Sequence, residues 1–531
     1  MREGSAGSSE RRRIAVLGAG PGGYPAAFLA AQMGFDVTLI DEHPDPGGVC
    51  LYEGCIPSKA LLHAAELIHD TAAADSMGLI FGDPRIDLHR LREWKDSDVV
   101  AKMTRGLGQI AKARKVRFVR GRGRFVDASR LRVALDGEVT DVEFDHAIVA
   151  TGSVPLIPGS LRLESDRVWD SSAALELREV PERLLIIGGG YIGLETATVY
   201  AALGSRVTVV EMTGSLLPGA DPDLTRIVAQ SIETRVDEVL LETSVVDLRE
   251  TKDGIEAQFS KADIEESREY DCVLIATGRR PNSENLGLKE TQVKVDDRGF
   301  IEVDHQRRTA EPTIFAIGDV VGEPMLAHKA THEARVAVEA IAGEPVAWDP
   351  AAIPAVVYTD PEVAWCGLTE AEARRHGIEV EAVRFPWAAS GRATILSHPS
   401  GVTKLIIEPG TERVLGGGHR RTRRRRTDRG RRAGGRDGRT PGRSTSHDSS
   451  SPDALGDHHG GGGGLLRHQP ELRSKTALVS SAGAETALPL IGAEGSARAN
   501  SLAPSQGYLD RFTCGGSIYI RSAQAASHSY S

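Results

Sequence analysis

The sequence predicts an α/β protein: two Rossmann-like nucleotide-binding domains with a smaller α+β domain behind them. Three observations point to this. An apolar strand, a Gly-x-Gly-x-x-Gly turn, a helix, a second strand and a terminal acid occur in that order twice. The two copies begin 170 residues apart, at Gly18 and Gly188. Residues 355–407 then change character to short β-type runs with one helix near Glu370–His376. At 531 residues the chain exceeds what one core holds, so three or four domains are expected.

In the first copy, Ile14 to Leu17 read as a buried strand, Gly18 to Gly23 as a tight turn, and Tyr24 to Met33 as a helix. The next strand, Val37 to Ile40, ends in Asp41. Gly18 permits the turn, Gly20 lets the backbone approach a pyrophosphate, and Gly23 lets helix pack on strand. The helix amino terminus then faces the phosphates, and Asp41 can hold ribose hydroxyls. The second copy runs through Leu184–Ile187, Gly188-x-Gly190-x-x-Gly193, the helix Leu194–Leu203 and the strand Val207–Val210, ending in Glu211. A carboxylate there favours the free 2′-hydroxyl of NAD and repels the 2′-phosphate of NADP.

Net charge is −10, which gives no reason to expect nucleic acid, although Arg crowds residues 420–443. The five cysteines are too few for a secreted disulfide scaffold. An intracellular, cytoplasmic location is expected, with any disulfide being catalytic. Arg11-Arg12-Arg13 and the apolar run after them imitate a signal peptide, but the dense Gly-Pro cluster favours strand, turn and helix. No run of about 18 apolar residues exists, so no membrane span is expected. Residues 1–11 read as disordered.

Cys50 and Cys55 stand five apart at the expected start of a helix. Such a pair can be structural, half of a metal site, or redox-active. Zinc would need two more ligands at suitable spacing, and none is found, so no metal is expected. The redox reading is better supported, because a helix amino terminus lowers a thiol pKa. Cys272, in a strand before ATGR, and Cys366 read as packing residues.

The segment GGVCLYEGCIPSKALLH, which spans Cys50 and Cys55, resembles the active-site segment of the dihydrolipoyl dehydrogenases, members of the pyridine-nucleotide:disulfide oxidoreductases. The resemblance continues through ATGS at Ala150–Ser153, GGGYIGLE at Gly188–Glu195, ATGRRPN at Ala276–Asn282, and IFAIGDVVGEPMLAHKA at Ile314–Ala330. YTDPEVAWCGLTEAEA at Tyr358–Ala373 and FPWAASGRA at Phe385–Ala393 extend it, so that it covers about residues 12–418.

The resemblance implies FAD and NAD as cofactors and the oxidation of dihydrolipoamide by NAD⁺. Electrons would pass from the substrate dithiol to the Cys50–Cys55 pair, then FAD, then NAD⁺. Cys50 matches the interchange thiol and Cys55 the thiol beside the flavin. Lys59 matches the lysine near flavin N5, and Glu195 its ion-pair partner. For FAD the matching positions are Gly18, Gly20, Gly23, Asp41, Gly48, Lys59, Gly123, Thr151, Gly152, Asp319 and Ala327. For NAD they are Gly188, Gly189, Gly190, Tyr191, Ile192, Glu211, Val245, Ala276 and Gly278. The implied partners are the lipoyl domains of 2-oxoacid dehydrogenase complexes and a second copy of the chain.

The implied organisation is a disordered start at 1–11, FAD-binding domain at 12–155 and 281–352, NAD-binding domain at 156–280, a truncated interface (dimerisation) domain at 353–418, and an aberrant, disordered tail at 419–531. The family ends in a segment whose histidine serves as acid/base in the partner's site. No matching segment follows Gly418, where the chain reads HRRTRRRRTDRG. The hypothesis that accounts for this is a one-nucleotide slip of reading frame. Permitted codons for residues 419–431 and 447–470, read one nucleotide later, spell family-like sequence. Catalytic turnover and dimerisation of this chain are therefore in question, and resequencing through codon 419 tests the slip.

Overall fold

The computed structural model describes residues 11–421 except 263 and 397–399. Most of the tail expected at 419–531, and all of the start expected at 1–11 except Arg11, lie outside the described residues.

Five parallel strands form the first sheet, in the spatial order Ile314–Ala316, His146–Val149, Arg13–Leu17, Asp36–Asp41, Arg117–Arg120. Side chains alternate across a strand, and here both faces of the central strands are covered, so their interiors are apolar: Ile14 to Leu17, Leu39 and Ile40, Ala147 to Val149. Ile14 and Val16 enter one core with Ala26 and Ala30 of the helix Gly23–Gln32 and Ala334 and Ala337 of the helix Ala327–Ala342. Ala15 and Leu17 enter a second core with Phe125, Leu131 and Val133 of an antiparallel three-stranded sheet.

The second lobe repeats the plan. Its parallel sheet runs Glu238–Leu241, Arg206–Glu211, Arg183–Ile187, Cys272–Ile275, Val168–Trp169. The helices Tyr191–Leu203 and Pro222–Glu233 cover one face, and a second antiparallel three-stranded sheet covers the other. Leu61 and Leu62 of the helix Cys55–Ala73 join the helical face of this lobe. Each such burial is worth about 1.5–3 kcal/mol, so the helix that begins at Cys55 is locked onto the helix Tyr191–Leu203.

A third sheet holds five antiparallel strands in the order Ala355–Val357, Glu362–Gly367, Val414–Arg421, Val402–Ile407, Glu381–Pro386. Its helix Glu370–His376 starts with a capping box between Thr369 and Glu372 and ends at a left-handed Gly377. Lys404, 2% exposed, reaches Asp221 at 2.8 Å, Asp223 at 2.9 Å and Glu370 at 2.9 Å, which ties this sheet to the second lobe.

Two expectations need correction. Regular structure was expected to stop at Gly418, but the strand continues to Arg421, with His419 opposite Ala364. Ladder pairing uses backbone groups, so it does not depend on the apolar pattern that stops at Gly418. Cys50 was expected at the start of the same helix as Cys55. Instead it lies on its own short helix Gly48–Tyr52, because the backbone breaks at Glu53 and Gly54 before Cys55 opens the long helix. Among the described residues no helix is long and apolar enough to cross a membrane, and no group of three His, Cys, Asp or Glu could hold a metal ion.

Candidate active site

The two glycine turns are built alike. A β-carbon at Gly18 would strike the Ala150 carbonyl oxygen, and one at Gly188 would strike that of Ala276. Both glycines also need positive φ, +98° and +117°. Gly23 and Gly193 pack in the same way against the carbonyls of Gly18 and Gly188.

The strand-end acids close both turns. Asp41 Oδ2 accepts the Ala19 amide at 2.6 Å, and Glu211 Oε2 accepts the Gly189 amide at 2.8 Å. Each acid's other oxygen accepts the amide two residues on, from His43 at 2.9 Å and from Thr213 at 2.8 Å. Burial opposes the Asp41 charge, but hydrogen bonds from His43 and the Ala19 amide outweigh it and hold the carboxyl below its usual range. Asp41 Oδ1 and Glu211 Oε1 each already take two bonds, but Asp41 Oδ2 and Glu211 Oε2 take one each, so these oxygens can still receive a ribose hydroxyl.

Gly48 has φ of +56°, and a β-carbon there would run into Gly20 Cα. The cysteine segment therefore lies backbone to backbone on the first phosphate turn. Gly123 fills a similar gap, since a side chain there would press on Leu17 and Ile40. Such cradles, open only to glycine beside an acid and a helix amino terminus, fit the pyrophosphate and ribose of FAD and NAD.

Cys50 and Cys55 are both in the thiol form and in hydrogen-bonding contact. The bond from Cys50 lowers the Cys55 pKa, burial opposes that, and Lys59 reinforces it. Lys59 Nζ pairs with Glu195 Oε2 at 2.8 Å and lies 4.5 Å from the centre of the Tyr358 ring. Glu195 Oε1 accepts the Tyr358 amide at 3.0 Å. Burial works against the Lys59 ammonium, but Glu195 and Cys55 more than compensate, so its pKa is raised. The result is a fixed cation beside a thiol that ionises easily.

Asp319 Oδ2 accepts Ser153 Oγ at 2.6 Å, and Ser153 Oγ in turn accepts Arg279 Nε at 2.8 Å. Thr151 Oγ1 donates to the Asn282 carbonyl at 2.7 Å, and the Asn282 amide donates to the Gly152 carbonyl at 3.0 Å. Ala327 is the first residue of its helix. Two residues on, Lys329 donates to the carbonyls of Gly318 and Gly322 at 3.0 Å and props the turn that carries Asp319. Tyr191 opens the second-lobe helix, and its hydroxyl lies within electrostatic reach of Arg279, Cys55, Asp319 and Glu195. Ile192 packs against the core of that lobe.

The predicted residues thus fall into two groups. Gly18, Gly20, Gly48, Asp41, Cys50, Cys55, Lys59, Glu195, Tyr191, Thr151, Gly152 and Asp319 surround one region of linked contacts. Gly188, Gly189, Gly190, Glu211, Ala276 and Gly278 line the second turn. Val245 stands apart: it is buried in the apolar core at a register shift, two residues after Thr243, whose amide donates to the Glu211 carbonyl. Sequence reasoning assigned no role to Tyr358, Ser153, Arg279, Lys329, His43 or Glu53. The motifs YTDPEV, ATGS, ATGRRPN and MLAHKA contain four of these, but nothing in them says what each touches. The thiols of Cys272 and Cys366 are both raised by burial, the first to about 12, as expected for packing residues.

Residues 12–334 match the pyridine nucleotide-disulphide oxidoreductase model, and residues 353–419 match the dimerisation domain of the same family. Dihydrolipoyl dehydrogenase of Haemophilus influenzae is 48% identical over 408 residues, 77% of this chain and 85% of that protein. The Vibrio cholerae dihydrolipoyl dehydrogenase is also 48% identical, covering 77% and 86%. Among solved structures, LpdA of Mycobacterium tuberculosis superposes with a TM-score of 0.71 at 26% identity, covering 77% of this chain and 90% of that one. The HOCl-induced flavoprotein disulfide reductase RclA of Escherichia coli superposes with a TM-score of 0.68 at 27% identity, covering 76% and 89%.

Proposed function

The chain belongs to the pyridine nucleotide-disulphide oxidoreductase family, and from that premise we propose that it oxidises protein-bound dihydrolipoamide with NAD⁺. The overall change is dihydrolipoamide + NAD⁺ → lipoamide + NADH + H⁺. Two electrons and two protons leave the substrate dithiol; a hydride equivalent goes to NAD⁺ and one proton to water.

Cys50 and Cys55, as a disulfide, receive the substrate's electron pair by thiol–disulfide exchange: an S–S bond forms in the substrate and the protein's S–S bond opens. Cys50 is the interchange thiol, and Cys55 holds the thiolate that Cys50 and Lys59 stabilise. FAD, when bound, supplies the two-electron relay between the dithiol and the nicotinamide. Lys59 holds positive charge where negative charge develops, and Glu195 keeps that ammonium in place. Glu211 selects NAD by excluding a 2′-phosphate.

The observation that carries this reading is the Lys59–Glu195 pair beside two thiols in contact. The matched dimerisation domain supports assembly as a homodimer. The partners are the lipoyl domains of 2-oxoacid dehydrogenase complexes, and the compartment is the cytoplasm. The test is to purify the chain with FAD, follow bleaching of the flavin by NADH and by dihydrolipoamide, and repeat after iodoacetamide treatment of the reduced protein. Alkylation should abolish bleaching by dihydrolipoamide and spare bleaching by NADH. A protein that holds no flavin, or whose response to dihydrolipoamide survives alkylation, refutes the proposal.

A further inference from the structure

His43 lies between the adenosine end of the site and the dithiol. Its Nδ1 meets Asp41 Oδ1 at 2.9 Å, and its Nε2 meets Glu53 Oε1 at 3.4 Å. Its ring stacks on Tyr52, with centroids 4.2 Å apart and planes 13° from parallel. Tyr52 and Glu53 are both inside the Cys50–Cys55 hexapeptide. One imidazole therefore joins the acid that would hold the adenosine ribose to the loop that carries the thiols.

We propose that His43 is a positioning residue that couples FAD binding to thiolate formation: it orients Asp41 for the ribose and neutralises Glu53, which lies within the Cys50–Cys55 segment. This rests on the reading of Cys50–Cys55 and Asp41 given above. The charges support it. Hydrogen bonds donated to Asp41 and Glu53 push His43 up to about 9, so it is an imidazolium at neutral pH. Glu53 in turn is held below its usual range, first by His43 and then by Ser172 and Arg279. The other ionisable groups facing the pair are Lys59 and Glu195 around Cys55, and Asp45 and Asp41 near Tyr52. Without His43, a carboxylate two residues from Cys55 loses its main counter-charge and opposes a second anion.

The test uses the full chain loaded with FAD, as wild type, His43→Gln, and the double variant His43→Gln with Glu53→Gln. Two quantities are read: the FAD dissociation constant by flavin fluorescence, and the pH dependence of iodoacetamide alkylation of the reduced pair. His43→Gln should weaken FAD binding about tenfold and raise the apparent thiol pKa by about one unit. The double variant should return the thiol pKa towards wild type while FAD binding stays weak. A purely structural defect would not be reversed by a second substitution. The inference is overturned if His43→Gln moves neither quantity, or if the double variant keeps the raised thiol pKa. If instead the wild type holds no flavin, or its alkylation leaves dihydrolipoamide bleaching intact, the function proposed above has failed.

Discussion

Glu195 holds Lys59 with one oxygen and the Tyr358 amide with the other, at 2.8 and 3.0 Å. The three residues come from the Cys55 helix, the second-lobe helix and the position just after the first strand of the third sheet, so one carboxylate ties three parts of the chain together.

Glu195→Gln keeps the shape and removes the charge. Glu195 is 5% exposed at its side chain and Lys59 26%, so the loss should be smaller than for a fully buried pair. A cost of about 1–3 kcal/mol is expected, read as a lower urea midpoint at unchanged slope. An unchanged midpoint would mean that the pair contributes no net stability.

Cys55→Ser removes the exchange chemistry without disturbing the glycine turns. Dihydrolipoamide-dependent reduction of the flavin should fall by at least about 100-fold. NADH-dependent ferricyanide reduction should stay within about threefold, because it does not need the dithiol. Equal loss of both activities would contradict the division of labour.

Gly48→Ala adds a carbon where Gly20 Cα already lies, at a φ of +56° that disfavours any side chain. The two segments must part, and the phosphate turn moves with them. FAD should be lost on gel filtration while far-ultraviolet circular dichroism remains close to wild type. A yellow Gly48→Ala protein would show that the contact is not required.

Glu211→Gln should raise KM for NAD⁺ by about tenfold with a smaller effect on kcat, because the carboxylate acts in binding. NADP⁺ use should improve relative to NAD⁺, measured as the ratio of kcat/KM values.

His43 also gives a pH signature. Its folded pKa, about 9, exceeds the ordinary 6.5, so the folded state binds the proton more tightly. The stabilisation is complete below about 6.5 and is lost as pH rises through about 9. Urea midpoints measured from pH 6 to 10 should fall over this window, and His43→Gln should flatten the fall.

Much of this was legible along the chain. The strand runs Ile14–Leu17 and Leu184–Ile187 read as buried because both of their faces are covered. The helix expected near Glu370–His376 is found at those residues. Asp41 and Glu211 could be picked out as acids ending strands. Residues whose importance comes from a distant neighbour were not legible. Nothing near Tyr358 announces that its amide serves a carboxylate 163 positions away. Val245 shows the reverse case: a matching position whose side chain is core.

The sequence alone marked out the two nucleotide-binding units, the cysteine pair and the two strand-end acids, because each depends on residue types at short spacing: glycines in a turn, cysteines in one segment, an acid at a strand end. Only the tertiary structure decided what those groups touch. Lys59 meets Glu195 across 136 positions, Ser153 meets Asp319 across 166, and His43 bridges Asp41 and Glu53 through space. Hydrogen bonds and ion pairs act over about 3 Å, and only the folded chain brings such groups that close.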